Sequence, residues 1–108
     1  MSTGETLKGH LEMLLLAALR GRPSHGYALI QALRVRSGGA FDLPEGTVYP
    51  ALHRLEQAGF IESRWQEEEN RRRRIYRLTR KGLRSLDEKQ RAWDRFVVGV
   101  QSTLEEAP

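Results

Sequence analysis

Residues 46–65 read Gly46-Thr47-Val48-Tyr49-Pro50-Ala51-Leu52-His53-Arg54-Leu55-Glu56-Gln57-Ala58-Gly59-Phe60-Ile61-Glu62-Ser63-Arg64-Trp65, and their period changes midway. Before Gly59, the apolar residues Val48, Ala51, Leu52 and Leu55 recur at i, i+3, i+4 and i+7, the spacing of one helix face. Thr47, Pro50, His53, Arg54 and Gln57 fall on the opposite side, with Tyr49 on a flank. Pro50 has no N–H to donate, a loss that costs least near a helix start. The regular helix is therefore expected from about Thr47 to Ala58. Gly59 stands where a left-handed C-cap belongs. Beyond it, Phe60 to Trp65 is rich in aromatic and β-branched residues and reads as a strand.

Downstream, Ile75 to Leu78 reads as a second strand, and Gln66 to Arg73 as a charged hairpin tip in which Asn70 tolerates a left-handed turn. Thr79 then caps a long helix reaching about Leu104. Leu83, Leu86, Gln90, Trp93, Val97, Val100 and Leu104 repeat along it at alternating steps of three and four, a heptad seam with one polar break at Gln90. Upstream, Leu7, Leu11, Leu14, Leu15, Ala18 and Leu19 mark a first helix, stopped at Gly21-Arg22-Pro23 by a glycine cap and a proline. Ser24 is the expected N-cap of a second helix, with Tyr27, Ile30 and Leu33 among its apolar positions and Ser37-Gly38-Gly39 closing it. Met1–Glu5 are expected to fray.

The fold class that follows is mainly α (α+β). It is a winged helix-turn-helix of three helices and a two-stranded wing, continued by a long C-terminal helix. Residues 1–79 would form the DNA-binding domain and residues 80–108 the dimerisation helix, in one compact unit.

Charge supports this assignment. The 108 residues carry 18 basic and 14 acidic side chains, a net charge of +4. Between Arg71 and Lys81 lie Arg71, Arg72, Arg73, Arg74, Arg77, Arg80 and Lys81 with no acid, so the rest of the chain is net acidic. A cationic strip of this kind suits a polyanion, where neutralised phosphates release their counterions. There is no cysteine, which excludes disulfides, thiolate chemistry and Cys-type zinc sites. The longest apolar run, Met13–Leu19, is far shorter than the roughly 18 residues of a membrane span. As a signal-peptide core it is flanked by Glu5 and Glu12 where positive charge belongs, so a cytoplasmic location is expected. His10, His25 and His53 lie on three different helices without the spacing of a metal site or a nucleophile–base pair. Neither an enzyme nor a cofactor or metal is expected.

In a winged helix-turn-helix the major groove, roughly 12 Å wide, accepts one helix, and the wing sets its cations along the backbone. DNA contacts are expected from Tyr27, Thr47, Tyr49, Pro50, His53 and Arg54, and from Arg72, Arg73 and Arg74 of the wing. Tyr49 also suits packing against the second helix, and Arg54 a pair with Glu56 or Glu12. Trp65 reads as a hairpin core residue. The seam Leu83, Leu86, Trp93, Val97, Val100 and Leu104 is expected to hold a homodimer. Trp93, facing its symmetry mate with Gln90 beside it, would also make a slot for an aromatic small-molecule effector. The alternative function is a winged-helix protein-interaction module without DNA binding, which Glu67 to Glu69 beside the arginines would suit.

Several stretches together resemble the PadR family of transcriptional regulators. They are His25-Gly26-Tyr27, Gly46 to Leu52, Arg54-Leu55-Glu56, Gly59-Phe60-Ile61, Arg72 to Thr79, and Gly82. The resemblance spans about Leu7 to Trp93. It implies a dimeric repressor with a recognition helix starting near Thr47 and a dimer formed through the C-terminal helix. The single C-terminal helix is similar to the short subfamily, some members of which sense flat aromatic compounds at the dimer interface. Trp93 stands where those members carry a tryptophan. The family wing often has a Gly-Gly tip; this sequence has Glu69-Asn70.

Overall fold

The computed structural model describes Leu7 and residues 9–105; the expected fraying of Met1–Glu5 lies outside the described residues. Among the described residues, the elements with described bounds follow in the order α1 (Leu11–Gly21), β1 (Ser24–His25), α2 (Gly26–Arg36), α3 (Glu45–Gln57), β2 (Ile61–Glu68), β3 (Arg71–Leu78) and α4 (Arg80–Leu104). The sheet is antiparallel with order β1-β3-β2. The chain is thus mainly α with a β wing, and the wing has a third strand that the sequence did not announce.

α1 begins at Leu11; Leu7 is itself helical, and its carbonyl accepts the His10 N–H at 2.8 Å in the turn at Gly9 and His10 that separates the two. At its other end Gly21 is not left-handed. The helix stops because Arg22, before Pro23, is fully extended at φ −174°, as proline requires of its predecessor. Ser24 does not cap α2; it pairs with Tyr76 in the sheet. The cap passes one residue on, to His25, whose ring accepts the Ala28 N–H. α2 and α3 both end in Schellman geometry. Gly39 N–H bonds Arg34 O and Gly38 N–H bonds Val35 O; likewise Phe60 N–H bonds Leu55 O and Gly59 N–H bonds Glu56 O. Gly38 and Gly59 are the left-handed residues (φ 65° and 81°) that this closure needs.

α3 starts at Glu45, two residues before the expected Thr47, so Pro50 is its sixth residue. Proline at that position leaves the Gly46 carbonyl without its helical donor. Gly46 is exposed, so water can take that place.

The core lies where α1, α2 and α3 meet under the base of the sheet. Leu15, Leu16, Leu29, Val48, Leu52, Leu55 and Ile61 are almost completely buried. Leu86 of α4 joins them at 1% exposure, which removes it from the expected dimer seam: it packs in its own protomer. Further along, α4 still reaches back to the body through Trp93, which meets His10, and the molecule measures 63 × 28 × 20 Å. Among the described residues, no helix is long and apolar enough to cross a membrane.

Candidate nucleic-acid interface

The 3.6-residue period that buries Val48, Ala51, Leu52 and Leu55 turns the other side of α3 outward. Thr47, Pro50, His53 and Arg54 are all exposed there. Arg54 is held loosely by Glu12 of α1 at 3.9 Å, one of the two partners the sequence offered it. Tyr49 is 41% exposed, but its ring tip lies over the start of α2. A Cβ on Gly26 would come within 2.5–2.6 Å of that ring, so glycine is what admits the tyrosine. Tyr27 is not an apolar core position: it is 52% exposed, with its ring parallel to His25 at 6.5 Å between centroids.

The hairpin is longer and tighter than expected. The strands run on to Glu68 and from Arg71, joined by Glu69 and Asn70 at φ 51° and 63°. Two consecutive left-handed residues make the hairpin turn whose twist matches the strands, the place where glycine pairs are usual. Glu67 stands opposite Arg72, and Glu68 opposite Arg71.

Alternation on β2 puts Ile61, Ser63 and Trp65 on one face. Ile61 reaches the core, but by Trp65 the strand has left the body, and this indole is 52% exposed. It is not a core residue but a platform. The guanidinium of Arg72 lies 4.8 Å and that of Arg74 5.5 Å from the ring centroid, within cation–π range.

The three wing arginines therefore differ. Arg72 is exposed at the outer end, over Trp65. Arg73 faces the other side, its Nη1 3.4 Å from His25 Nδ1. Arg74 turns inward: its Nε donates to Ser63 Oγ at 2.7 Å, and its Nη2 lies 3.6 Å from Glu56 on α3. Ser63 Oγ in turn donates to Glu56 at 2.7 Å. Arg77 is paired with Glu62. Sequence reasoning gave Ser63 no role, offered Glu56 only as a partner for Arg54 and took Trp65 for a hairpin core residue; the alternation that sets Trp65 beside Arg74 across the strands was the available signal.

Two titrations are displaced here. Burial first, then the neighbouring Arg73, pull His25 below the ordinary histidine value, with Glu68 opposing. Two donors, the Ala28 N–H and Arg73, approach Nδ1, so that nitrogen is the unprotonated one. Burial also raises the Tyr76 hydroxyl, against the pull of Arg74.

On α4, Trp93 meets His10 edge-on at 4.8 Å and Phe96 at 5.9 Å, leaving it 37% exposed. Gln90 is exposed. Leu83, Val100 and Leu104 are exposed at 42%, 38% and 76%, and Phe96, absent from the expected seam, at 59%; Val97 is half-buried.

A helix with a polar outer face, backed by an amphipathic partner helix and flanked by a cationic two-stranded wing, defines a winged helix-turn-helix DNA-binding regulator. The chain matches the Transcriptional regulator PadR-like family over residues 15–88, and it belongs to that family. It is 41% identical over 81 residues to a transcriptional regulator of Mycobacterium tuberculosis, covering 72% of this chain and 73% of that one. Among solved structures it is similar to a PadR family transcriptional regulator from Eggerthella lenta (36% identity, TM-score 0.84, covering 95% of this chain and 88% of that one). It is also similar to a PadR-like transcriptional regulator from Bacillus cereus (30% identity, TM-score 0.83, covering 95% and 99%). All three are transcriptional regulators.

Proposed function

We propose that the chain is a homodimeric cytoplasmic repressor that occupies an operator, with α3 in the major groove and the wing along the adjacent backbone. The supporting observation is that Thr47, Pro50, His53 and Arg54 are exposed on one side of α3, while Arg72 is exposed on a wing tied to the same helix through Glu56. In this reading residues 1–79 bind DNA, with Tyr27, Tyr49 and Arg73 at the edges of the contact. Residues 80–108 pair through Leu83, Trp93, Val97, Val100 and Leu104, now joined by Phe96. Half-sites then lie about one helical turn apart. The test is selection from random duplexes followed by a salt titration of the selected site. The logarithm of affinity should fall linearly with the logarithm of salt concentration, and Arg72→Ala should lower the slope by about one per lost phosphate contact. Thr47→Ala or His53→Ala should cost about 1–3 kcal/mol on the selected site if either reads a base edge. Salt-independent binding, or no selected sequence, would overturn the reading.

An aromatic effector lodged between the two α4 helices, against Trp93 with Gln90 to orient it, completes the proposal. The aromatic surface that Trp93 and Phe96 leave exposed supports it. Planar aromatic dyes should quench Trp93 in a Trp65→Phe background and release operator DNA. No quenching by about 100 µM dye, a weak affinity by any standard, removes the effector and leaves the repressor.

A further inference from the structure

We infer that Glu56, Ser63 and Arg74 form a brace that fixes the angle between the wing and α3, which makes Arg74 a positioning residue and leaves Arg72 as the wing's phosphate contact. The inference rests on the proposed docking of α3 and wing on one duplex.

Three observations carry it. Arg74 spends its Nε on Ser63 at 2.7 Å and aims Nη2 at Glu56 from 3.6 Å, so two of its three nitrogens face groups of this protein. Ser63 closes the triangle with its own 2.7 Å bond to Glu56, the last but one residue of α3. Trp65 then carries the order outward, with Arg74 and Arg72 both against its ring. Ile61 and the Phe60 N–H tie the base of the hairpin to the core and to α3, and the Glu56–Ser63–Arg74 triangle extends that tie one step outward. A wing free to swing would lose orientational freedom on binding, and a wing already held does not. Arginine suits the post because its planar fork fixes direction as well as charge, which a lysine cannot.

The brace and a plain charge effect predict opposite signs for one substitution. Glu56 is an anion close to the DNA side, so if only charge mattered, Glu56→Gln would tighten DNA binding. If the brace operates, Glu56→Gln weakens binding by about tenfold, the worth of a hydrogen bond to a charged group, with the salt slope unchanged because no phosphate contact is lost. Arg74→Lys should do the same although it keeps the charge, whereas Arg72→Ala should lower the slope. In an Arg74→Ala background, Glu56→Gln should have no further effect. Ser63→Ala, which deletes only the bridging hydroxyl, is the mildest variant and serves should either of the others fail to fold. Tighter binding by Glu56→Gln, or a slope lowered by Arg74→Lys, overturns the inference. The Nε–H of Arg74, observed by NMR in the protein without DNA, should exchange slowly and become fast in Ser63→Ala. Fast exchange in the wild type would sink the brace whether or not the protein binds an operator. Slow exchange without operator binding would instead count against the docking.

Discussion

At residue scale the wing tip carries a small strain. Glu69 sits at φ 51°, a region costing a side chain roughly 1–2 kcal/mol that asparagine bears more easily. Glu69→Asn should therefore raise stability in urea unfolding by about 0.5–1 kcal/mol and, having removed an anion from the wing, also tighten DNA binding. A lower midpoint would show that Glu69 makes its own compensation. His25 yields a pH dependence with a definite sign. Its folded pKa lies below the ordinary 6.5, so the unfolded chain binds the extra proton first as pH falls. The stability from the α2 cap is complete above that ordinary value and is lost on acidification from there toward the folded value. His25→Asn keeps an N-cap acceptor without a titration. Urea midpoints from pH 8 to 5 should fall more steeply for wild type than for the variant; parallel curves would remove His25 as the cause.

At the scale of elements, α4 is seated by a glycine. A Cβ on Gly82 would stand 1.9 Å from the Phe60 carbonyl, the same oxygen that accepts the Thr79 N–H at 3.1 Å. Gly82→Ala should therefore cost about 1–3 kcal/mol, as overpacking does, and a variant as stable as wild type would mean the joint opens freely. The elements also show what could be read in advance. α3 was legible because Val48, Ala51, Leu52 and Leu55 answer to a single buried face, and Gly59 because its role is local. β1 was not, since two residues, Ser24 and His25, pair with a strand some fifty positions on. Trp65 misled because alternation gives the face of a strand but not how far the body beneath it extends. The polar face of α3 was legible residue by residue; the inward turn of Arg74 was not, since it depends on where Glu56 arrives in space.

At the scale of the whole molecule, α4 has two surroundings along one stripe, and periodicity cannot tell them apart. Leu86 is 1% exposed inside its own protomer, while Val100 and Leu104 face outward at 38% and 76%. The two ends should respond differently to substitution. Leu86→Ala should destabilise each protomer by about 2–5 kcal/mol, the usual cost of emptying a core site. Val97→Asp with Val100→Asp should leave thermal stability of the body nearly unchanged and, on the proposed pairing, halve the mass seen by light scattering at micromolar concentration. A dimer that survives the double substitution would move the interface elsewhere.

The projecting half of α4 has a consequence for dosage. Beyond Trp93, which still meets His10, most of the helix is exposed, and isolated helices of this length are marginal in water. Its order is then borrowed from whatever lies against it, and on the proposed pairing that lender is a second copy. Helical content per chain becomes a function of how many chains are present, so far-ultraviolet circular dichroism per residue should strengthen on concentration. A cell holding few copies would hold chains with intact reading heads and unravelled arms, and the gene under control would answer to abundance more steeply than one binding event allows.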